Sequence, residues 1–254
     1  MVPLDRPYHD RAWLAGHLRE ERRAADLLGE IREAVFGAQD GLVSTLAVVS
    51  TVGGATNDRF AILVAGIASA LAGVFSMSAG EYLSSKSQRE IFLAQIRKER
   101  EEVAERPGES EAEVAYMLEQ EGLDPAAASR VAKELATAPN VLLNTMVEKE
   151  LGITMEEGRN PLQGALVMGA SFGIASVVPI VAYLFVEPGS AFVASMVLSL
   201  VTLFGIGVVK SRWTEASPFR SGLEVVALAA FAGIAGYVFG SILPGLLGVN
   251  GPGV

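Results

Sequence analysis

The stretch that decides the fold runs from Phe60 to Gly80 and reads FAILVAGIASALAGVFSMSAG. It contains no Asp, Glu, Lys or Arg and reaches the length of about 20 residues that a helix needs to cross a bilayer. Three further uncharged stretches reach that length: Pro161 to Val186, Pro188 to Val209, and Val225 to the C-terminus. Val35 to Ala55 is equally apolar except for Gln39 and Asp40. The sequence therefore predicts an all-α, polytopic membrane protein with five transmembrane helices.

The basic residues orient these helices, because short loops rich in Lys and Arg stay in the cytosol. Of the 20 Lys and Arg residues, 19 fall on one side of the five-helix arrangement. The remaining one, Arg59, lies in the short polar turn Thr56 to Arg59, which joins the first two transmembrane helices as a hairpin. The sequence thus predicts a cytosolic N-terminus and a C-terminus on the other side.

One long polar segment interrupts the apolar pattern between the second and third transmembrane helices. Residues 81–160 carry 17 acidic and 10 basic side chains. Helix breakers divide this segment into three or four helices: Arg106-Pro107-Gly108, Gly122, Asp124-Pro125 and Ala138-Pro139-Asn140. The predicted domains are a cytosolic amphipathic N-terminal segment 1–33, transmembrane helices 34–85, a cytosolic acidic helical metal-binding domain 86–160, transmembrane helices 161–248, and a short non-cytosolic tail 249–254.

Composition and motifs exclude several classes of protein. The chain has no cysteine, which excludes disulfides, thiolate metal sites and a nucleophilic cysteine. Its net charge of −9 argues against a nucleic-acid partner. The sequence has no Ser-His-Asp arrangement, glycine-rich phosphate loop or HExxH motif, so we expect neither an enzyme nor a bound cofactor. We expect no cleavable signal peptide, because the first thirty residues lack an apolar segment.

Both histidines lie in the N-terminal segment, on either side of Trp13. His9 and His17 fall within Tyr8 to Leu28, which has the pattern of an amphipathic helix. We expect this helix to lie on the membrane surface rather than to bind a metal.

Small residues recur at a spacing of four in two of the apolar stretches: Ala165, Gly169 and Gly173 in one, and Gly236 and Gly240 in the other. Such spacings let membrane helices approach closely. The approach serves either a dimer interface or packing within one helical bundle, and we favour packing within one bundle.

Asp40 and Met77 lie at similar depth in the predicted hairpin. Counted from the centre of the turn near residue 57, Asp40 is 17 residues back and Met77 is 20 residues forward. Glu81 lies one turn beyond Met77 on the same face, at the cytosolic mouth. Two carboxylates and a thioether suit a divalent transition metal better than calcium. The alternatives are an interfacial Asp40 that reaches back to water and a Met77 that only packs in the core.

Three helices of the polar segment each carry a pair of potential ligands on one face. The pairs are spaced by three or four residues: Glu99 with Glu102, Glu109 with Glu113, and Met146 with Glu150. If these helices form a bundle, their side chains make one multi-carboxylate metal site. The alternative is an ordinary solvated surface on which Lys98, Arg100 and Lys133 neutralise the carboxylates.

Four segments carry a resemblance to a known family. Residues 34–45 read AVFGAQDGLVST, and residues 76–89 contain SMSAGEYLS and SQR. Residues 146–152 read MVEKELG, and NPL at 160–162 opens the third transmembrane helix. Because two long motifs occur in the family's order, the chain resembles the vacuolar iron transporter (VIT) family over about residues 30–248.

The resemblance implies a five-span homodimer that moves ferrous iron, and often manganese, out of the cytosol in exchange for protons. It implies that Asp40, Met77 and Glu81 belong to the transport pathway. It also implies a cytosolic metal domain with five ligands: Glu99, Glu102, Glu113, Met146 and Glu150. Three residues depart from the family pattern, standing where asparagine, a second methionine and a glutamate are usual: Gln39, Val147 and Ser110. Glu109, one residue from Ser110, is placed to supply the missing carboxylate.

Two other functions stay open from the sequence. The helices could merely anchor an acidic metal sensor or buffer, although an anchor has no need of Asp40 inside the membrane. An intramembrane iron oxidase would need the Glu and His pairs of di-iron bundles, which the sequence lacks. The ligand types do not separate Fe(II) from Mn(II), Co(II) or Zn(II). A high Ala, Gly and Arg content without a targeting sequence favours a bacterial plasma membrane.

Overall fold

The computed structural model describes residues 11–152, 160–214 and 217–247, and every regular element in these ranges is an α-helix. The helices are α1 (Arg11–Ala55), α2 (Arg59–Glu105), α3 (Pro107–Gln120), α4 (Pro125–Ala136), α5 (Pro139–Glu150), α6 (Pro161–Phe185), α7 (Pro188–Thr214) and α8 (Pro218–Leu247). The predicted all-helical class is confirmed.

Six of these helices begin with a proline: Pro107, Pro125, Pro139, Pro161, Pro188 and Pro218. Proline is favourable at the first helical position, because its fixed φ fits the helix and an N–H would have no partner there. Proline also disfavours helical geometry in the residue before it. For this reason α2 ends at Glu105, just before Arg106 and Pro107, as the sequence predicts.

The turn between α1 and α2 lies where the sequence predicts it. The Asp58 N–H donates to Thr56 Oγ1 at 3.1 Å, and Asp58 Oδ1 accepts from the Phe60 N–H at 2.9 Å. A Cβ built on Gly66 would come within 2.8 Å of Val49 Cγ1, so the two helices fold back on each other. Val49 and Gly66 are almost equally far from residue 57, which is the register that the predicted depths of Asp40 and Met77 assume.

Five of the described helices are long and apolar enough to cross a membrane: α1, α2, α6, α7 and α8. The chain is therefore an integral membrane protein. Its orientation and the limits of its predicted domains stay predictions, and the predicted tail 249–254 lies outside the described residues.

The chain divides into two compact units. Unit 1 comprises Met1–Glu81 and Leu162–Val254, and unit 2 comprises Tyr82–Pro161. Helix α2 contributes residues to both units. Within unit 1, α1 packs against α8 and α7, which also pack against each other.

Small residues bring the helices of unit 1 together. A Cβ built on Gly240 of α8 would overlap the carbonyl oxygen of Thr51 on α1. A Cβ built on Gly169 of α6 would overlap Ser78 Oγ on α2. These glycines thus pack within one chain, which is the interpretation that we favoured from the sequence.

Unit 2 has an apolar core of its own, formed by Ile96, Val103, Val114, Ala132, Leu142, Leu143, Met146 and Val147. The predicted helix ends are confirmed. Asp124 caps α4, because its Oδ2 accepts from the N–H groups of Ala126 and Ala127 at 3.1 and 3.3 Å. Gly122 follows α3 with a φ of +101°, a conformation that glycine adopts without strain.

The N-terminal part of α1 carries one of the two histidines. The His17 ring stacks on Trp13 with a centroid distance of 5.0 Å, and its Nε2 lies 3.2 Å from Glu21 Oε1. Tyr8 and His9 lie outside the described residues. That this part of α1 lies on a membrane surface stays a prediction.

Candidate metal centre

Carboxylates predicted as ligands converge at the junction of α2 and α3, where only Arg106 separates the two helices. One oxygen each of Glu102, Glu109 and Glu113 lies within 4.8 Å of the others. Within residues 11–152, 160–214 and 217–247, no other group of three His, Cys, Asp or Glu side chains lies this close together. The helical spacings identified in the sequence thus bring carboxylates from two helices together.

Glu99 is a buried carboxylate close to these three. Its side chain packs in unit 2 with only 2% of the residue exposed, and Oε2 has no hydrogen-bond partner among the described residues. Burial raises the pKa of Glu99, and the charges of Glu150, Glu102 and Glu113 raise it further. An ionised carboxylate in such a place is costly unless a cation balances it.

Glu113 shares this environment. Burial raises the pKa of Glu113, and so do the charges of Glu102, Glu150 and Glu109, in that order. Glu150 thus acts on both Glu99 and Glu113, which places the end of α5 beside the other carboxylates. The carboxylate cluster consists of Glu99, Glu102, Glu109, Glu113 and Glu150.

Arg106 is the main basic residue that neutralises the carboxylate cluster, and the sequence analysis did not predict this role. Arg106 Nη2 lies 2.9 Å from Glu102 Oε1, and Arg106 Nη1 lies 2.7 Å from Glu109 Oε2. Glu102 first and Glu109 second raise the pKa of Arg106. Of the residues expected in this role, Lys98 lowers the pKa of Glu99. No ion pair of Arg100 or Lys133 with the cluster is found in the described part of the chain.

A surface cavity of about 410 Å³ opens beside the cluster and is lined by Glu109, Ala112, Glu113, Tyr116, Met117 and Glu150. Three carboxylates of the cluster therefore face a space that an ion can enter. Met117 was not singled out from the sequence, although it lies one turn beyond Glu113 on the same face of α3. Its thioether adds a soft potential ligand to a mainly oxygen-rich cavity.

Three residues discussed from the sequence lie in the interior of unit 2. Met146 and Val147 are fully buried in the apolar core, so Met146 contributes to packing whether or not it binds a metal. Ser110 is also fully buried, and its Oγ donates to the Arg106 carbonyl at 3.4 Å. Ser110 therefore supports the turn, whereas the neighbouring Glu109 lines the cavity.

In unit 1, Glu81 lies near a second carboxylate, Glu33, which the sequence analysis did not identify. A Cβ built on Gly164 of α6 would come within 2.9 Å of Glu33 Oε2 and 3.3 Å of Glu81 Oε1, so both carboxylates lie against this glycine. Glu33 is 5% exposed. The signal for Glu33 was its position seven residues before Asp40, which puts both on one face of α1. Beside it, Gln163 donates to Glu30.

The other pathway residues predicted in unit 1 are Asp40 and Met77, and both are half-buried. The adjacent Gln39 has a buried Nε2 without a hydrogen-bond partner among the described residues. Asp40 is not part of a group of three carboxylate or histidine ligands in the described ranges. Its assignment to a transport pathway, with Met77 and Glu81, stays a prediction.

Comparison with known families gives a clear match. The sequence model described as the VIT family matches residues 31–241 of this chain. The chain belongs to the VIT family. The match includes α2, α6 and α7 completely, most of α1 and α8, and the whole carboxylate cluster, and the resemblance seen in the sequence is confirmed.

Several VIT relatives align over most of their length. Vacuolar iron transporter 1 of Eucalyptus grandis is 32% identical over 222 residues, covering 87% of this chain and 89% of the relative. Vacuolar iron transporter 1 of Arabidopsis thaliana is 32% identical over 217 residues, covering 85% and 87%. The vacuolar iron transporter of Plasmodium falciparum is 27% identical over 223 residues, covering 84% and 82%.

Proposed function

We propose that this protein transports divalent transition-metal ions, Fe(II) with Mn(II) as a second substrate, out of the cytosol in exchange for protons. In the proposed arrangement, a homodimer of five-span chains lies in a bacterial plasma membrane. Unit 2 lies in the cytosol with the N-terminus, and the C-terminus lies outside. The relatives named vacuolar iron transporter support iron as the substrate.

The observation that carries the proposal is the buried Glu99 carboxylate. Three more carboxylates, those of Glu150, Glu102 and Glu113, raise its pKa, and one of its oxygens has no partner among the described residues. Such an arrangement is costly in a protein without a cation and favourable with one, because a divalent ion offsets the repulsion. The open cavity beside Glu113 and Glu150 gives the ion access.

The chemistry of carboxylates supports the proposed proton exchange. A metal and a proton compete for the same oxygen lone pairs, so binding one releases the other. In the proposed path, the carboxylate cluster collects the ion in the cytosol, and Glu81, Met77 and Asp40 pass it through the membrane. A proton from the far side then binds Asp40 and releases the metal ion there.

The test is metal flux in liposomes that contain the full chain. Fe(II), kept reduced, is supplied on the side of unit 2. The pH is made lower on the other side of the membrane, so that protons can move toward unit 2, and a fluorescent chelator on that other side reports Fe(II) flux. We expect Asp40→Ala to reduce flux to the level of empty liposomes, because an intramembrane carboxylate marks the pathway. Asp26→Ala, an exposed aspartate on the same helix, is the matched control and should leave flux unchanged. An unaffected rate for Asp40→Ala would overturn the pathway assignment.

The alternative is a membrane-anchored metal sensor or buffer. It is supported by the separate apolar core of unit 2, which is formed by residues of that unit alone. The same liposomes decide between the two functions. Saturable metal binding by the reconstituted chain without flux under any gradient would favour the sensor.

A further inference from the structure

Arg106 holds two of the three carboxylates that could share one ion. Its guanidinium lies between Glu102 and Glu109, with contacts of 2.9 and 2.7 Å, and 53% of its side chain is exposed. A divalent ion that used Glu102 Oε1 or Glu109 Oε2 would compete with Arg106 for that oxygen, and an ion on the other oxygens would lie close to the positive guanidinium. Because a guanidinium has only donors, it cannot join the coordination of the ion, and its positive charge opposes the ion's binding.

The backbone at this junction is held by hydrogen bonds, whereas the Arg106 side chain is half exposed to solvent. The N–H groups of Glu109 and Ser110 donate to the Arg106 carbonyl at 3.0 and 3.2 Å, which holds the turn between α2 and α3. The exposed guanidinium therefore can leave its partners by rotation of its own side chain. The Glu99 carboxylate, which is buried and unpaired at Oε2 among the described residues, stays behind for the ion.

We propose that Arg106 is the internal counter-cation of the metal-free cluster, which an incoming divalent ion displaces, and that it thereby lowers the affinity of the cluster for metal. This inference rests on the proposed function, because it assigns a role in the same site. The role suits a transporter, since an ion held only moderately tightly can be passed on. Arg106 acts as a residue that sets affinity and is not a metal ligand.

The expected size of the effect is modest. Exposed ion pairs contribute little each, and Arg106 makes two of them beside a third carboxylate. Its removal should tighten metal binding by about three- to tenfold, which corresponds to about 0.7–1.4 kcal/mol. Lysine would keep the positive charge but could not contact Glu102 and Glu109 in the same way. The metal affinity of Arg106→Lys should therefore lie within about twofold of that of the unaltered chain.

The first experiment measures Mn(II) binding to the full chain in detergent, with free Mn(II) read by electron paramagnetic resonance. We expect Arg106→Gln to bind about three- to tenfold more tightly. The matched control is Lys86→Gln, which also removes a half-exposed base from an ion pair on α2. Lys86 lies about 20 Å along the helix from Glu99, so its loss should leave the affinity unchanged. An unchanged or weaker affinity of Arg106→Gln would overturn the role of Arg106.

A second measurement follows the arginine itself. Phenylglyoxal modifies accessible guanidinium groups, and peptide mass spectrometry reports the modified fraction at each arginine. We expect Mn(II) to increase the modification of Arg106 and not that of Arg100. Equal modification of Arg106 with and without Mn(II) would overturn the displacement.

A third variant, Glu113→Gln, distinguishes a failure of the role of Arg106 from a failure of the proposed function. If Glu113→Gln weakens binding but Arg106→Gln does not tighten it, only the role of Arg106 fails. If Glu113→Gln binds as tightly as the unaltered chain, the collecting site of the proposed function fails as well.

Discussion

The two units of the chain use the same helix in opposite ways. In unit 1, α2 turns large apolar side chains outward, and Phe60 and Phe75 are 74% and 72% exposed. In unit 2, α2 buries a stripe spaced by three and four residues, Ile96, Glu99 and Val103, and exposes charged residues. The first pattern suits lipid as the surrounding medium and the second suits water. The comparison shows that Glu99 occupies a position where the helix pattern calls for an apolar residue.

The largest effect should come from breaking the close helix packing of unit 1. Alanine favours a helix over glycine by about 1 kcal/mol, so Gly240→Ala should stabilise α8 if packing did not matter. Because the added Cβ would overlap the Thr51 carbonyl, we expect a net loss of about 1–3 kcal/mol instead. The measurement is thermal unfolding in detergent.

The control for Gly240 lies on the same helix. A Cβ on Gly245 meets no atom of the described residues within 4 Å, so Gly245→Ala should be neutral or slightly stabilising. If Gly240→Ala unfolds no earlier than Gly245→Ala, α1 and α8 do not meet as described.

A smaller effect of the opposite sign is expected in unit 2. Glu99→Gln removes a buried carboxylate that repels its neighbours, so the metal-free protein should gain about 1 kcal/mol, or about 2–4 °C in Tm, at neutral pH. The same change should weaken Mn(II) binding, since a ligand charge is lost. Glu101→Gln, an exposed neighbour on α2, should alter neither quantity. A lower Tm for metal-free Glu99→Gln would contradict the assignment of Glu99 as a destabilising charge.

The pH dependence sharpens this prediction. The folded chain raises the pKa of Glu99 above its ordinary value of 4.5. Below pH 4.5 the Glu99 carboxyl is protonated in both the folded and the unfolded chain, so it does not affect how stability depends on pH. As the pH rises above 4.5, the unfolded chain loses its proton first, so the stability of the metal-free protein falls until the raised pKa is passed. Glu99→Gln should make this fall smaller, and an identical pH profile would exclude Glu99 as its source.

The smallest effect on stability should come from Gly164→Ala. The added Cβ would approach the flexible ends of Glu33 and Glu81, which can move at little cost, so we expect a change below about 0.5 kcal/mol. Displacing two carboxylates should nevertheless slow Fe(II) flux about two- to fivefold. Gly205→Ala, where a Cβ meets no described atom within 4 Å, is the control. Equal flux for both variants would remove Glu81 from the proposed pathway and give Glu33 no part in transport.

Local signals made most of the fold predictable. Prolines and caps act on their own helix, so the breaks at Pro107 and Asp124 could be placed from the sequence alone. The carboxylate pairs followed from helical spacing in the same way. The position of Arg106 could not be predicted, because it depends on how a side chain at a turn meets residues on two helices. Glu33 was missed because its burial comes from α6, which is distant in sequence.

The division of the chain also sets an order of events during synthesis. All residues of unit 2, Tyr82–Pro161, have been added before α7 or α8 exists. Its apolar core can therefore form early from neighbouring segments. Helix α1 packs extensively against α8, the last helix of the chain, and must wait for it. A nascent chain thus carries its acidic unit complete while its membrane unit is still unfinished, which makes the pairing of first and last helices the late step of assembly.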